Sequence, residues 1–296
     1  MKIIQSFAQF EEGSPYLKNK NSKKQDYVFL NYYSFLLSYI TIKEQHGSVT
    51  MFCNQCAYDS FIKYISYDEV IIKENDNNII MWSKYKLDCM RTMDVDFIHV
   101  DSDVFIFNKL FQPFIDGDYD IIIQNILSRR LNTVKTFGFT QKKFLADTRI
   151  LTKQYDGRCF SCGTLGLKKR VHEYYFAGVD VLYNTMLKAG LENIHNPAML
   201  LEEQLLYYIA IENDFTTHEI LSENLISEPE DVINKGDEIG YLHVWYRLKY
   251  KQSIIHQIRR KLYSDYPDYL DFVIKYENDV ISKMKIFEHL VLEKSK

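Results

Sequence analysis

Asp101 and Asp103 stand two residues apart in the segment Phe97-Ile98-His99-Val100-Asp101-Ser102-Asp103-Val104-Phe105, with apolar runs on both sides. Those flanks predict a buried strand that ends at Asp101, so both carboxylates can face one ion across the turn while the apolar residues hold the backbone still. Hard divalent cations such as Mn²⁺ and Mg²⁺ take octahedral oxygen ligands, commonly one or two carboxylates completed by phosphate oxygens of a substrate. Aspartates at this spacing arise often by chance, and it is the place at a strand end that gives the pair weight. His99 precedes Asp101 by two and by strand alternation points to the same face, where it reads as a structural histidine. A second constellation, Cys53 with Cys56 and Cys159 with Cys162, has the spacing of a divided four-thiolate zinc site. The two halves are far apart in sequence and lack a Gly-rich knuckle or accompanying His, so buried, reduced thiols are the expectation.

These residues must be positioned by a scaffold, and the hydrophobic pattern describes one. Strands are predicted over 2–7, 48–53, 69–73, 97–100, 104–107, 119–123, 159–167 and 216–221, and helices over 27–45, 57–64, 80–93, 174–189 and 197–212. Strands alternating with helices through the first 125 positions predict an α/β fold, a mostly parallel central sheet flanked by helices, with ligands at the carboxyl ends of the strands. The longest uncharged stretch, 27–42, is shorter than a bilayer span and is interrupted by Asn and Ser, so it reads as a core helix. With 296 residues, the chain divides into 1–125, 126–246 and a helical extension over 247–296, the first two being halves of one domain. The formal charge of −4 excludes a general attraction to nucleic acid, and any diphosphate has to find a local cation. The amino-terminal stretch shows no small-residue cleavage site, and a cytoplasmic protein is the expectation.

The aspartate segment, together with its neighbours in chain order, resembles the glycosyltransferases of the type A, nucleotide-diphospho-sugar fold, which is Rossmann-like. Trp82 and Lys86 resemble the W-x-x-x-K helix that leads to the D-x-D strand in bacterial members. Ser161-Cys162-Gly163-Thr164-Leu165 is similar to the N-(A/S)-G-V-(L/F) strand on the acceptor side, with Ser161 in place of Asn. Glu202-Glu203-Gln204 looks like the acidic-Gln element beneath the transferred sugar, and His243 with Lys249 resembles the late histidine of the metal shell and the lysine after it. The resemblance implies that Asp101, Asp103 and His243 hold Mn²⁺ or Mg²⁺. It further implies that Gln5, Ser6, Lys86 and Ser102 meet the donor, that Ser161, Cys162 and Gly163 lie toward the acceptor, and that Glu203 and Gln204 are catalytic. The implied reaction transfers sugar from a nucleoside diphosphate sugar, UDP by default, to a glycan or glycolipid hydroxyl, with retention of configuration. In those terms 1–125 is the donor half and 126–246 the acceptor half.

Two other readings follow from the same residues. A sugar-phosphate nucleotidyltransferase shares the sheet but carries a basic Gly-rich loop after its first strand, whereas 5–14 offers only Gly13 and no Lys or Arg. A non-catalytic nucleotide-sugar-binding or scaffold protein is the second. The run 247–261 holds six Lys or Arg and no acid. It reads first as a solvated helix face and second as a peripheral contact with an anionic membrane through Ile254, Ile255 and Ile258.

Overall fold

The computed structural model describes residues 1–9, 24–74, 82–127, 158–188, 199–221, 231–244, 251–280 and 282, with the side chains of 24–31 and Trp82 outside that description. Gly13, the basic stretch over 128–156, Arg247 and Lys249 also fall outside it.

Strands β1 (Lys2–Phe7), β2 (Val49–Cys53), β3 (Glu69–Ile72) and β4 (Phe97–Val100) share a seven-stranded sheet with β6 (Ile121–Leu127), β7 (Cys159–Leu167) and β8 (Thr217–Glu219), in the order β3-β2-β1-β4-β7-β6-β8. The remaining two, β5 (Val104–Ile106) and β9 (Tyr241–His243), form a separate antiparallel pair. Every neighbour in the large sheet is parallel except β7, which runs against both β4 and β6. The fold is therefore mixed α/β around a mostly parallel sheet flanked by helices, as the alternation of elements predicts.

Neighbouring residues of these strands face opposite cores, because side chains alternate across a pleated sheet. Ile3, Met51, Ile98 and Ile122 pack with α1 (Lys24–His46) on one side. Ile4, Phe52, Phe97, Ile121 and Ile123 pack with α3 (Trp82–Arg91), α5 (Lys169–Lys188) and α6 (Leu205–Glu212) on the other. Burial on both faces is why these strands read as continuous apolar runs. Every residue of 32–42 in α1 is buried, which explains a stretch of helix without a charged residue. Among the described residues no helix is long and apolar enough to cross a membrane.

Helix α8 (Gln252–Asp265) belongs to the α1-side core. Ile254, Ile255, Ile258 and Leu262 are buried there, and Tyr276, from the helix over 270–280, stacks on Tyr32 at 3.8 Å. The apolar stripe considered for a membrane is thus covered by the protein itself, and the peripheral contact receives no support. The run also loses its acid-free character in space. Arg259 pairs with Glu277 at 3.0 Å, and Lys261 with Asp237 and Asp265 at 2.6 Å each, acids supplied mostly by other elements.

The four paired cysteines are not brought together. Cys53 lies on β2 and Cys159 and Cys162 on β7, three places away in the sheet, all buried. Burial pushes the Cys53 thiol up to about 12.

Candidate active site

The connections leave β1 toward β2 on one side and return to β4 on the other, so the strand order reverses there, and in open sheets of this kind ligands bind outside the carboxyl ends at such a point. Asp101 follows β4 directly, its N–H donating to Gly163 O at 2.8 Å, and its carbonyl accepts from Val104 N at 3.0 Å to close the turn. A stripe of hydroxyls on the buried face of α1 fixes what comes next. Ser34 Oγ donates to Ser102 O (2.8 Å), Ser38 Oγ to Val104 O (2.6 Å), and Thr41 Oγ1 accepts from Ile106 N (3.2 Å). Positions 34, 38 and 41 share one helical face, so a single helix satisfies backbone groups of β5 that its partner strand does not reach.

His243 comes to the aspartates by pairing of β9 with β5, in the register Val104↔His243. That approach depends on Gly240, which ends α7 (Val232–Ile239) at φ +91 and accepts from Phe107 N at 2.9 Å. Ligand atoms of Asp101, Asp103 and His243 then lie within 4.8 Å of one another, forming the one candidate metal cluster among the described residues. The histidine's tautomer follows from its partner. Nδ1 is 2.7 Å from Gln124 Oε1, which also accepts from Tyr241 Oη at 3.1 Å. A carbonyl oxygen only accepts, so Nδ1 donates, and in the neutral ring the lone pair sits on Nε2, which is 3.4 Å from Asp103 Oδ1. A lone pair facing a carboxylate is favourable when a cation lies between them, and an orienting partner on the other nitrogen is the usual support of a metal-bound histidine. Two carboxylates and one imidazole therefore fit Mn²⁺ or Mg²⁺, with the remaining positions left to phosphate or water.

Gly163 makes this geometry possible. A Cβ there would come within 2.5 Å of His243 Nδ1 and 2.8 Å of Gln124 Oε1. The β6–β7 register shifts between Ile123 and Asn125, opposite this glycine, and along β7 the residues facing the α5-side core change from Phe160 and Cys162 to Leu165 and Leu167. Such irregularities re-aim side chains beside functional sites.

Lys86 on α3 lies beneath the aspartates with its ammonium on Asp101 Oδ1 (2.7 Å), Glu202 Oε1 (2.5 Å) and Cys162 O (2.8 Å). Three acceptors match its three N–H donors. Burial disfavours its charge, but Asp101 and Glu202 outweigh that and hold the lysine well above its usual value. Burial raises the Glu202 carboxyl despite Lys86, helped by the charge of Asp101. Glu202 sits on a π turn, Leu200–Gln204, leading into α6, and such turns are frequent at functional sites. Three carboxyl groups against one ammonium leave the cluster short of positive charge, and a divalent cation would supply it.

The expected residues therefore divide. Asp101, Asp103 and His243 converge, Ser102 holds their turn, Ser6 contacts His99 at 2.8 Å, and Cys162 and Gly163 act through a carbonyl and through the room a missing Cβ leaves. Ser161 is buried on β7 opposite Asn125. Gln5 is set apart: on the α1 side of the sheet its amide donates to Ser38 Oγ (2.7 Å) and accepts from Tyr67 Oη (2.8 Å). The carboxylate facing Lys86 is Glu202; Glu203 is half-buried and Gln204 buried on the same turn. Gln124 was not anticipated, although a Gln directly after Ile-Ile-Ile in a buried strand is itself a signal.

Fold and site together define an α/β protein with an open, mostly parallel sheet and a carboxylate–histidine cluster at its switch point. Residues 1–276 match a family model described as "Family of unknown function (DUF6734)", and the chain belongs to that family. Comparison with curated protein sequences gives no match. Among solved structures, the chain is similar to the galactosyltransferase LgtC in complex with donor and acceptor sugar analogs, at 9% identity and TM-score 0.43, covering 92% of this chain and 100% of that one. It is also similar to the inositol-1-phosphate CTP transferase from T. maritima, at 8% identity and TM-score 0.44, covering 89% and 96%. Mouse xyloside xylosyltransferase 1 matches at 11% identity and TM-score 0.37, covering 74% and 84%.

Proposed function

We propose that this chain is a metal-dependent glycosyltransferase that moves a sugar from a nucleoside diphosphate sugar, UDP by default, to a hydroxyl of a glycan or glycolipid. The observation that carries the reading is the convergence of Asp101, Asp103 and His243, its Nδ1 held by Gln124, at the sheet's switch point. Mn²⁺ or Mg²⁺ held there would supply Lewis acidity toward the departing diphosphate. Lys86, whose donors are engaged by the protein, braces Asp101 instead of reaching the donor. Glu202 neutralises Lys86, and Ser6 and Ser102 stay on the donor side of the crevice. Ser161 to Gly163 border the acceptor side. Glu203 and Gln204, which follow Glu202 on the π turn, are assigned to the far face of the sugar. There a weakly nucleophilic amide or ion-pair stabiliser favours retention, because inversion needs a general base in that place.

Thermal unfolding with UDP, with and without Mn²⁺, tests the reading against the wild type and the Asp101→Asn and Asp103→Asn variants. Stabilisation that requires both ligands, and is lost in either variant while the fold persists, is the expected result. Indifference of the wild type to both would point to a scaffold. Proton NMR of the first product from an α-linked donor then reports the stereochemistry, and a β-linked product would reverse the roles given to Glu203 and Gln204.

A further inference from the structure

Immediately behind the aspartates lies a polar group that the proposed reaction does not use. His99 is fully buried on β4, between Ile4 of β1 and Leu165 of β7 in the sheet register. Its Nε2 is 2.8 Å from Ser6 Oγ. Its Nδ1 is buried without a hydrogen-bond partner and lies 3.6 Å from Asp101 Oδ1. Buried polar atoms are almost always paired, so an orphan aimed at a carboxylate asks for an account.

We propose that His99 is a positioning residue for Asp101, holding an Nδ1–H toward Oδ1 in the tautomer that Ser6 permits. This inference rests on the metal-binding role assigned above to Asp101. A serine hydroxyl both donates and accepts, so the Ser6 contact is compatible with either tautomer. The other nitrogen decides between them. Without a proton, Nδ1 would turn a lone pair toward a carboxylate oxygen in a dry site; with one, it faces an acceptor. Ser6 then donates to Nε2, and the relay runs Ser6 to His99 to Asp101. At 3.6 Å the last contact is longer than a hydrogen bond, so the carboxylate is one small displacement from a second donor.

The contacts of Asp101 share a side. Lys86 and His99 both address Oδ1. A carboxylate held from behind through one oxygen is oriented to offer the other to an ion, the arrangement by which outer groups fix metal ligands. Lys86 contributes charge and His99 direction. A histidine serving only to fill space would have no need of a nitrogen at that point.

Two side chains separate these roles, because the amide nitrogen of Asn can occupy the position of Nδ1 and that of Gln the position of Nε2. Mn²⁺ affinity, read from the paramagnetic resonance of free Mn²⁺, would be compared for wild type, His99→Asn and His99→Gln, with thermal unfolding of each as a control on the fold. His99→Gln should bind about 10- to 100-fold more weakly, while His99→Asn stays within about threefold of wild type. Long-range ¹⁵N–¹H spectra of the metal-free protein should show His99 protonated on Nδ1. An Nε2–H tautomer, wild-type affinity in His99→Gln, or equal losses in both variants alongside lowered stability would each overturn the assignment. Failure of the wild type to bind Mn²⁺ at all would instead remove the metal reading on which it rests.

Discussion

Two lysines of this protein have the same partners on paper and opposite surroundings in space. Lys86 and Lys261 are both nearly buried, at 6% and 5% side-chain exposure, and each ammonium lies between two carboxylates. The partners of Lys261, Asp237 and Asp265, are 46% and 44% exposed, so water completes their solvation and the cluster is self-sufficient. Those of Lys86, Asp101 and Glu202, are 28% and 2% exposed, with Asp103 close by. An excess of acid at a surface is solvated without consequence. The same excess at a sheet's switch point is costly unless a cation joins it, which is the electrostatic basis of the metal reading proposed above.

Removing each lysine in turn is the strongest way to break this comparison. Lys86→Met leaves Glu202 buried without its counter-charge, and losses of this kind run to about 3–5 kcal/mol. Lys261→Met keeps the apolar stem and releases two acids into water, for a cost of about 0–1 kcal/mol. Urea unfolding of the two variants measures the contrast, and Glu202→Gln added to Lys86→Met should recover much of the loss. Equal losses in the two single variants would mean that burial of the partners does not distinguish the clusters.

How much of this was legible in the sequence depends on whether contacts are local. β1, β4 and β7 are bounded where the apolar runs begin and end, and α1 was visible as a buried helix because its uncharged stretch is too short for a membrane. The order of Asp101, Asp103 and His243 along the chain was legible through family resemblance. Their meeting was not derivable from pattern, since it requires a three-residue strand pairing across more than a hundred positions. That Glu202 meets Lys86 was not legible, because a π turn rotates side chains off the 3.6-residue period and leaves no mark in hydrophobicity. Similarly, Arg259 and Lys261 of the basic run pair with Glu277 and Asp237, whose proximity no local window contains.

A smaller effect sharpens the contrast through packing. In Gly163→Ala the new methyl meets His243 and Gln124 at 2.5–2.8 Å, so one of them must move. Overpacking costs about 1–3 kcal/mol, and here the displaced group is a proposed metal ligand together with its orienting partner. Mn²⁺ affinity should therefore fall along with stability. A variant that is destabilised yet binds Mn²⁺ as wild type would show that Gly163 serves the fold alone.

The smallest effect, and the most direct test of the difference between the lysine clusters, is its dependence on pH. The hydrogen bond from Lys261, aided by Ser264, lowers the Asp265 carboxyl below its usual 3.8. Its stabilising contribution is present above 3.8 and is lost as pH falls through the lower folded value. Burial raises Glu202 above its usual 4.5 against the pull of Lys86. For that group the folded protein takes up a proton before the unfolded chain does, so its ionised form costs stability above the folded value, and the cost is relieved as pH falls toward 4.5. Lys86 itself, raised by its carboxylates, stays charged throughout this acid range. Unfolding free energies of wild type, Asp265→Asn and Glu202→Gln, measured without metal from pH 7 to 3, should separate the two signs. Relative to Asp265→Asn, the wild type loses stability on acidification, by at most about 1 kcal/mol because the pair is exposed and screened. Relative to Glu202→Gln, the wild type gains stability over the window above 4.5. Differences of the same sign in both comparisons would show that the partner's charge, and not burial, governs both carboxylates, and the case for a cation-deficient cluster at the switch point would lose its electrostatic basis.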